Sequence, residues 1–333
     1  MNDVARFSLE RLDEQVVDLY ADFLPKQVFD AHMHMYYGPA CPKAVQPQSV
    51  FDREIATVQM YQKDMLPFLP GVDVLNMNMI PMPDPVLSDL HSGSREVAHG
   101  HILKELNQGQ GNTGCAYVLP CDTEETIDVL TSYPGIRGIK CYSYGAGQIE
   151  TESLPVEKYL PEAAWVVANQ KKLPIILHMM RPHALSDEEN FAYICQMTHR
   201  YPNAQLVLAH CARGSASWTV VNKIKQLEDQ GNIWFDLSAI CEAGPIMACI
   251  MKNAGKRTMW GSDYPICMSR GRPVSVAGKQ NWLTGKNLPF SRTYVLAENL
   301  LALHEAAVIL DLDKPQIEDL FFNNAKALFA CLS

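Results

Sequence analysis

Three things are scarce in this sequence of 333 residues. No apolar stretch approaches the roughly 20 residues that a membrane-spanning helix needs, so no membrane partner is expected. Positive charge is also in short supply. The formal net charge is −9 and no basic run exceeds two residues, as at Lys171-Lys172, which argues against a nucleic-acid surface built on clustered Lys and Arg. None of the ten cysteines is spaced as C-x-x-C, and several (Cys141, Cys211, Cys241) fall in or just after apolar runs. In a chain of this size they read as buried free thiols in a reducing compartment, not as a disulfide framework. The opening "MNDVARFSLERLDEQVVDLYADFL" is amphipathic and acidic. It lacks the basic start and uninterrupted apolar centre of a secretory signal, so a cytoplasmic location is expected.

Hydrophobic residues make up 47% of the chain and charged residues 20%, enough for a sizeable core. Single α/β barrels commonly run to about 250 residues or more, so the length does not force two domains. Short β-branched apolar runs alternate with amphipathic helical patterns. The expected strands are "QVFDAH" (27–32), "VDVLNMNM" (72–79), "CAYVLP" (115–120), "GIRGIKCY" (135–142), "PIILH" (174–178), "AQLVLAH" (204–210), "NIWFDLS" (232–238) and "RTMWGSD" (257–263). Eight strands alternating with helices imply a parallel sheet closed as an α/β fold, a distorted (β/α)8 TIM barrel. Long connections are expected after strands one, two and eight, at 35–71, 80–114 and 264–290. One domain over 1–333 is expected, with an N-terminal helix in 1–25, barrel strands in 26–263, and a long loop and closing helices in 264–333. An open doubly wound sheet competes, and its usual mark is G-x-G-x-x-G after a strand. The match in "GQGNTG" (Gly109, Gly111, Gly114) follows a helix and precedes a strand, the reverse order, and reads as a turn.

Polar residues stand where the strands end: His32 and His34 on strand one, Lys140 on strand four, His178 on strand five, His210 on strand six, Asp263 on strand eight. In a barrel these ends ring a single mouth. Residues two apart on a strand share a face, so His32 and His34 can both point inward, and Asp30 shares their parity one step deeper. Imidazole nitrogens and a carboxylate suit zinc at about 2.0–2.2 Å, and three nitrogens plus one oxygen with a position left for water describe a catalytic site. A bound ion makes water nucleophilic near neutral pH. The bland alternative is a buried, hydrogen-bonded polar cluster. His99 and His101 repeat the same spacing in "EVAHGHILKEL", but a helix rotates two residues by about 200°, so they diverge and are not expected to share an ion. His183, His199 and His304 fall in loops or helices and read as surface or satisfied polar groups.

The motifs "FDAHMHM", "GIRGIKCY", "LHMMRP", "LAHCARG" and "MWGSDYP" resemble, in order and spacing, the strand motifs of the amidohydrolase superfamily. The resemblance is to the amidohydrolase-related branch that includes aminocarboxymuconate-semialdehyde decarboxylase, and it spans about residues 27–331. It implies a TIM-barrel enzyme in which His32, His34, His178 and Asp263 hold one divalent metal, Zn2+ first and Mn2+ as the alternative. It further implies that Asp263 carries the proton as general base and then acid, and that His210 hydrogen-bonds the reacting water or carbonyl and stabilises the oxyanion. In binuclear members a carboxylated strand-four lysine bridges two ions, so a second arrangement uses carboxylated Lys140 with His178 and His210. In the single-metal arrangement Lys140 remains a cation near the substrate. Homo-oligomers are common in this superfamily.

Arg181, Arg213, Tyr36, Tyr37 and Tyr142 lie close after strand ends. An arginine fork matches a carboxylate, so Arg181, Arg213, Lys140 and Tyr142 are candidate contacts for a small anionic substrate. Each arginine has a plain reading as a loop ion pair. The expected function is therefore hydrolysis of a small carboxylated ester, lactone or amide. The alternative is non-oxidative decarboxylation of an unsaturated or aromatic acid on the same scaffold. A metal-binding barrel without catalysis is the third reading, and the intact Asp263 and His210 count against it.

Overall fold

The structure, a computed structural model, describes residues 9–36, 55–82, 94–143, 153–228, 231–276, 279–284 and 291–330. Eight parallel strands form one sheet in sequence order: β1 Gln27–Met35, β2 Val74–Pro81, β3 Thr113–Val118, β4 Ile136–Cys141, β5 Pro174–Leu177, β6 Gln205–Leu208, β7 Ile233–Asp236 and β8 Thr258–Met259. The sheet closes on itself after β8. Ala31 N–H donates to the Trp260 carbonyl at 3.1 Å, Asp263 N–H to the His32 carbonyl at 2.7 Å, and His34 N–H to the Tyr264 carbonyl at 2.7 Å. This is the expected TIM barrel. Its strands are buried on both faces, which is why they read in the sequence as continuous apolar runs.

Two apolar layers follow from the pleat. Inside the barrel, Phe29, Ala31, Ile80, Cys115, Tyr117, Ile176, Val207 and Met259 pack together, closed by Phe322 and Phe329 from the C-terminal helical segments. A larger layer, including Val28, Met33, Met35, Ile139, Leu206 and Phe235, packs under the helices. Phe29 and Ala31 therefore face inward while Met33 and Met35, on the same nominal parity, face outward. The cause is a register shift: between Asp30 and Met33, β1 advances three residues while β2 advances two. Such a bulge reverses the faces of the strand beyond it. It turns His32 and His34 into the mouth and corrects the expectation for Asp30, which stands on the opposite side of the wall.

There Asp30 braces the seam. Its Oδ1 accepts from the backbone N–H groups of His32 (3.0 Å) and Ser262 (2.9 Å), and its Oδ2 accepts from the Tyr61 hydroxyl at 2.6 Å. Burial pushes this carboxyl up to about 6 against those hydrogen bonds.

Several other expectations meet the structure here. The helix Ser94–Leu106 carries His99 and His101 apart: His99 Nε2 accepts from the Tyr117 N–H at 2.8 Å, and His101 Nε2 lies 2.7 Å from the Ala56 carbonyl. The segment after β8, expected as a loop, contains an antiparallel hairpin of β9 Gly271–Val276 and β10 Lys279–Thr284. Its Gly, Pro and Lys content had disguised an alternating strand pattern. Much of the connections after β1 and β2, and Tyr37, lies outside the described residues. All eight cysteines among the described residues are free, six of them buried. No helix among the described residues is long and apolar enough to cross a membrane.

Gly261 lies in the closing seam. A Cβ there would stand 2.8 Å from His32 Cβ and 3.0 Å from His32 N. Gly261→Ala should thus lower stability by about 1–3 kcal/mol through overpacking, read as a shifted urea midpoint. An unchanged midpoint would show that β1 and the segment after β8 give way freely.

Candidate metal centre

The residues singled out at the strand ends meet at one end of the barrel, most of them just past the strands. His178 follows β5 by one residue, His210 follows β6 by two, and Asp263 follows β8 by four. Their backbones are bent to reach the mouth. His210, Cys211, Ala212 and Arg213 all have left-handed φ, between 51° and 58°, and Asp263 has φ 60°. Each such non-glycine residue costs about 1–2 kcal/mol and persists only where its surroundings impose it.

Hydrogen-bonding groups flank the imidazoles at β1 on both sides. The Tyr142 hydroxyl donates to the Pro81 carbonyl at 2.7 Å, so toward His34 Nδ1, 3.3 Å away, its oxygen acts as acceptor. With its proton on Nδ1, the tautomer that a metal ligand needs, His34 turns an Nε2 lone pair toward Asp263 Oδ1, 3.1 Å away. His32 Nδ1 lies 2.9 Å from Asp236 Oδ2, and its Nε2, fully buried, has no hydrogen-bond partner and stands 3.7 Å from the same Asp263 oxygen.

Burial raises the Asp263 carboxyl, but His210, His34 and His32 around it bring it down to about 2. Burial, helped by the Lys140 charge, lowers His32 to about 3, and burial also lowers His34. Neutral imidazoles and an ionised carboxylate are the states a metal takes as ligands. His32, His34 and Asp263 bring one ligand atom each within 4.8 Å of one another. An orphaned buried nitrogen and two acceptors facing one carboxylate fit a divalent cation.

A second triad, His32, His210 and Asp236, meets the same distance limit but is chemically different. Asp236 is already surrounded by donors: besides His32, its Oδ1 accepts from the N–H groups of His210 and Ser238, both at 3.1 Å, and from the Ser238 hydroxyl. Burial opposes its ionisation, yet His32, His210 and Ser238 hold it well below the usual carboxylate range. A carboxylate so filled is an anchor rather than a vacant ligand. Asp236 was not singled out from the sequence, although it is the last residue of β7 and so stands at a strand end, and that position was the available signal.

His178 belongs to neither triad. Its Nδ1 is 3.1 Å from His210 Nε2, and Arg213 Nη1 lies 3.4 Å from its Nε2. Burial, with His210, Arg213 and Lys140 nearby, lowers its pKa well below the ordinary value. Arg213 also donates to the Met179 carbonyl at 2.7 Å. Lys140 is fully buried; its Nζ has no hydrogen-bond partner and lies 5.0 Å from the centre of the Tyr142 ring. Burial lowers it to about 8, against the pull of Asp236 and Asp263. The Tyr142 hydroxyl is engaged by Pro81 and His34. Arg181 is not brought to the group: it pairs with Asp187 (3.0 Å) and Glu189 (2.7 Å) and donates to the Ser153 carbonyl.

Residues 29–330 match the family model described as Amidohydrolase. The chain belongs to the amidohydrolase family. Solved structures share its fold at low identity. A 5-carboxyvanillate decarboxylase from Novosphingobium aromaticivorans, complexed with manganese, is 13% identical with TM-score 0.58, covering 91% of this chain and 96% of that one. A Pseudomonas putida protein assigned as a 2-pyrone-4,6-dicarboxylic acid hydrolase is 15% identical with TM-score 0.57, covering 93% and 100%. An amidohydrolase from Burkholderia multivorans with bound zinc is 10% identical with TM-score 0.59, covering 91% and 99%. No curated protein matches the sequence. For this amidohydrolase, His32→Ala should remove most divalent metal retained on purification, measured by elemental analysis. His101→Gln, which keeps a donor for the Ala56 carbonyl, should leave the metal content unchanged.

Proposed function

We propose that this amidohydrolase is a metal-dependent hydrolase of a small carboxylated ester, lactone or amide. The observation that carries the reading is the convergence of His32 Nε2 and His34 Nε2 on Asp263 Oδ1, at 3.7 and 3.1 Å, in a buried barrel mouth. These three residues would hold a single divalent ion, with His178 as the further ligand that the family resemblance supplies. Zn2+ is the first choice and Mn2+ the second, both ions being present in structural neighbours. Such an ion supplies a Lewis acid that makes water nucleophilic near neutral pH.

The chain's own groups do the rest. Asp263, ionised at neutral pH, takes a proton from the attacking water and returns it to the leaving group. His210 turns its Nε2 edge toward His178 and the mouth, where it accepts a hydrogen bond from the reacting water. Lys140 and Arg213 supply positive charge around the mouth and favour a carboxylated substrate. The free cysteines suit a reducing cytoplasm.

A second reading is non-oxidative decarboxylation of an unsaturated or aromatic acid, favoured by the buried, unpaired Lys140 cation and by the decarboxylase among the structural neighbours. A panel of carboxylated lactones, esters, amides and unsaturated acids separates the two. Hydrolysis releases acid and incorporates oxygen from labelled water, whereas decarboxylation releases carbon dioxide without it. Asp263→Asn should keep much of the metal and lose about 10²–10⁴-fold in turnover. Full activity in that variant would remove Asp263 as the proton carrier.

A further inference from the structure

We propose that Asp236 and Ser238 are a positioning pair that sets the tautomers of His32 and His210 together, so that one β7 carboxylate governs both a metal ligand and the imidazole facing the reacting group. The inference rests on the metal-site reading above and assigns residues to which that reading gives no role.

The directions of the hydrogen bonds follow from groups that cannot exchange roles. The backbone N–H groups of His210 and Ser238 can only donate, and both point at Asp236 Oδ1 at 3.1 Å. The Ser238 hydroxyl lies close to the same oxygen and gives its single proton to that ionised carboxylate. Ser238 Oγ is then an acceptor toward His210 Nδ1, 2.9 Å away, and the Ser238 carbonyl, which can only accept, lies 3.1 Å from the same nitrogen. His210 therefore carries its proton on Nδ1, leaving Nε2 to accept from His178 Nδ1 at 3.1 Å.

With Oδ1 filled by three donors, Oδ2 alone serves His32, at 2.9 Å. It holds the His32 proton on Nδ1 and leaves the Nε2 lone pair, which has no other partner, directed at Asp263. Losing a group that holds the far nitrogen of a metal-binding imidazole in this way typically lowers metal affinity by about 10–100-fold.

The arrangement makes one substitution diagnostic. In Asp236→Asn, the three donors at Oδ1 dictate which way the amide lies: its oxygen must face them, so its NH2 group must face His32 Nδ1. An NH2 group donates, so His32 has to accept at Nδ1 and move its proton to Nε2, the atom required as a ligand. Asp236→Ala removes the partner without imposing the wrong tautomer. A carboxylate that serves only as a buried brace gives the opposite ranking, because Asn preserves shape and most hydrogen bonds whereas Ala preserves neither.

The test is titration of the apo protein with Co2+ and Zn2+, paired with 15N imidazole NMR of the apo wild type. Expected are an Nδ1–H tautomer for both His32 and His210, a loss of metal affinity of about 10–100-fold in Asp236→Asn, and a smaller loss in Asp236→Ala. Ser238→Ala keeps the backbone carbonyl that accepts from His210 Nδ1, so it should weaken the hold on the His210 tautomer without reversing it and leave that of His32 in place. An Nε2–H tautomer for His32 in the wild type, or a larger affinity loss for Ala than for Asn, overturns the proposal. The NMR measurement on the wild type decides the matter even where the Asp236 variants fold poorly. A wild type that binds no metal yet shows both Nδ1–H tautomers sinks the hydrolase reading and leaves the pairing intact.

Discussion

A buried carboxylate flanked by two imidazole lone pairs is a site that repels itself unless positive charge stands among the three. Asp263 Oδ1 has His34 Nε2 at 3.1 Å and His32 Nε2 at 3.7 Å, and neither ring can turn a proton toward it without losing a partner on its other side. For His32 that partner is Asp236; for His34 it is the Tyr142 hydroxyl, itself committed to the Pro81 carbonyl. Unpaired buried polar atoms cost several kcal/mol in an apolar medium. The constraint is thus not any single ligand but the second ring of hydrogen bonds, which prevents the first ring from relaxing. A divalent ion satisfies all three acceptors at once.

Holding those acceptors in place requires departures from regular structure. The extra residue in β1 turns the histidine pair inward, and Asp30 on the far side of the wall ties the same stretch to Ser262, next to Asp263. Four successive left-handed residues after β6 bring the His210 backbone N–H onto Asp236, while Arg213 at the end of that turn reaches back to His178. Alanine and cysteine fill the middle of the turn, fully buried, where larger side chains would have to be accommodated as well. None of the eight barrel strands contains a residue with positive φ.

The barrel was legible because strands buried on both faces leave apolar runs, and because polar residues at the ends of such runs need a reason. Polarity at the strand ends singles out His32, His34, His178, His210 and Asp263, which the structure brings together at one end of the barrel. That reading overlooked Asp236, whose strand is short and whose aspartate looks like an ordinary polar terminus. It misplaced Asp30, since a one-residue bulge leaves no trace in alternation when both faces are apolar. The hairpin of β9 and β10 was read as loop because Pro273 and the glycines outweighed a weak alternation. Whether Arg181 faces a substrate or its own loop depended on Asp187 and Glu189 lying within reach, and spacing alone does not decide which partner an arginine takes.

Charge balance narrows what the mouth can receive. Asp236 and Asp263 are ionised near neutral pH, the three imidazoles of His32, His34 and His178 have their proton affinity lowered, and Lys140 at about 8 remains largely a cation. Two negative charges against one lysine leave the protein groups with one negative charge in excess, and a divalent ion reverses the sign. The buried centre then carries a net positive charge before Arg213 at the rim is counted. A neutral or cationic substrate would leave that charge poorly compensated in a low-dielectric site, whereas a carboxylate neutralises it. The same balance bears on the lysine itself. Carboxylating Lys140 replaces its positive charge with a negative one, which takes away the excess that favours an anionic substrate and calls for a second ion. One ion with a free lysine and a carboxylated substrate is one balanced state; two ions with a carboxylated lysine is the other.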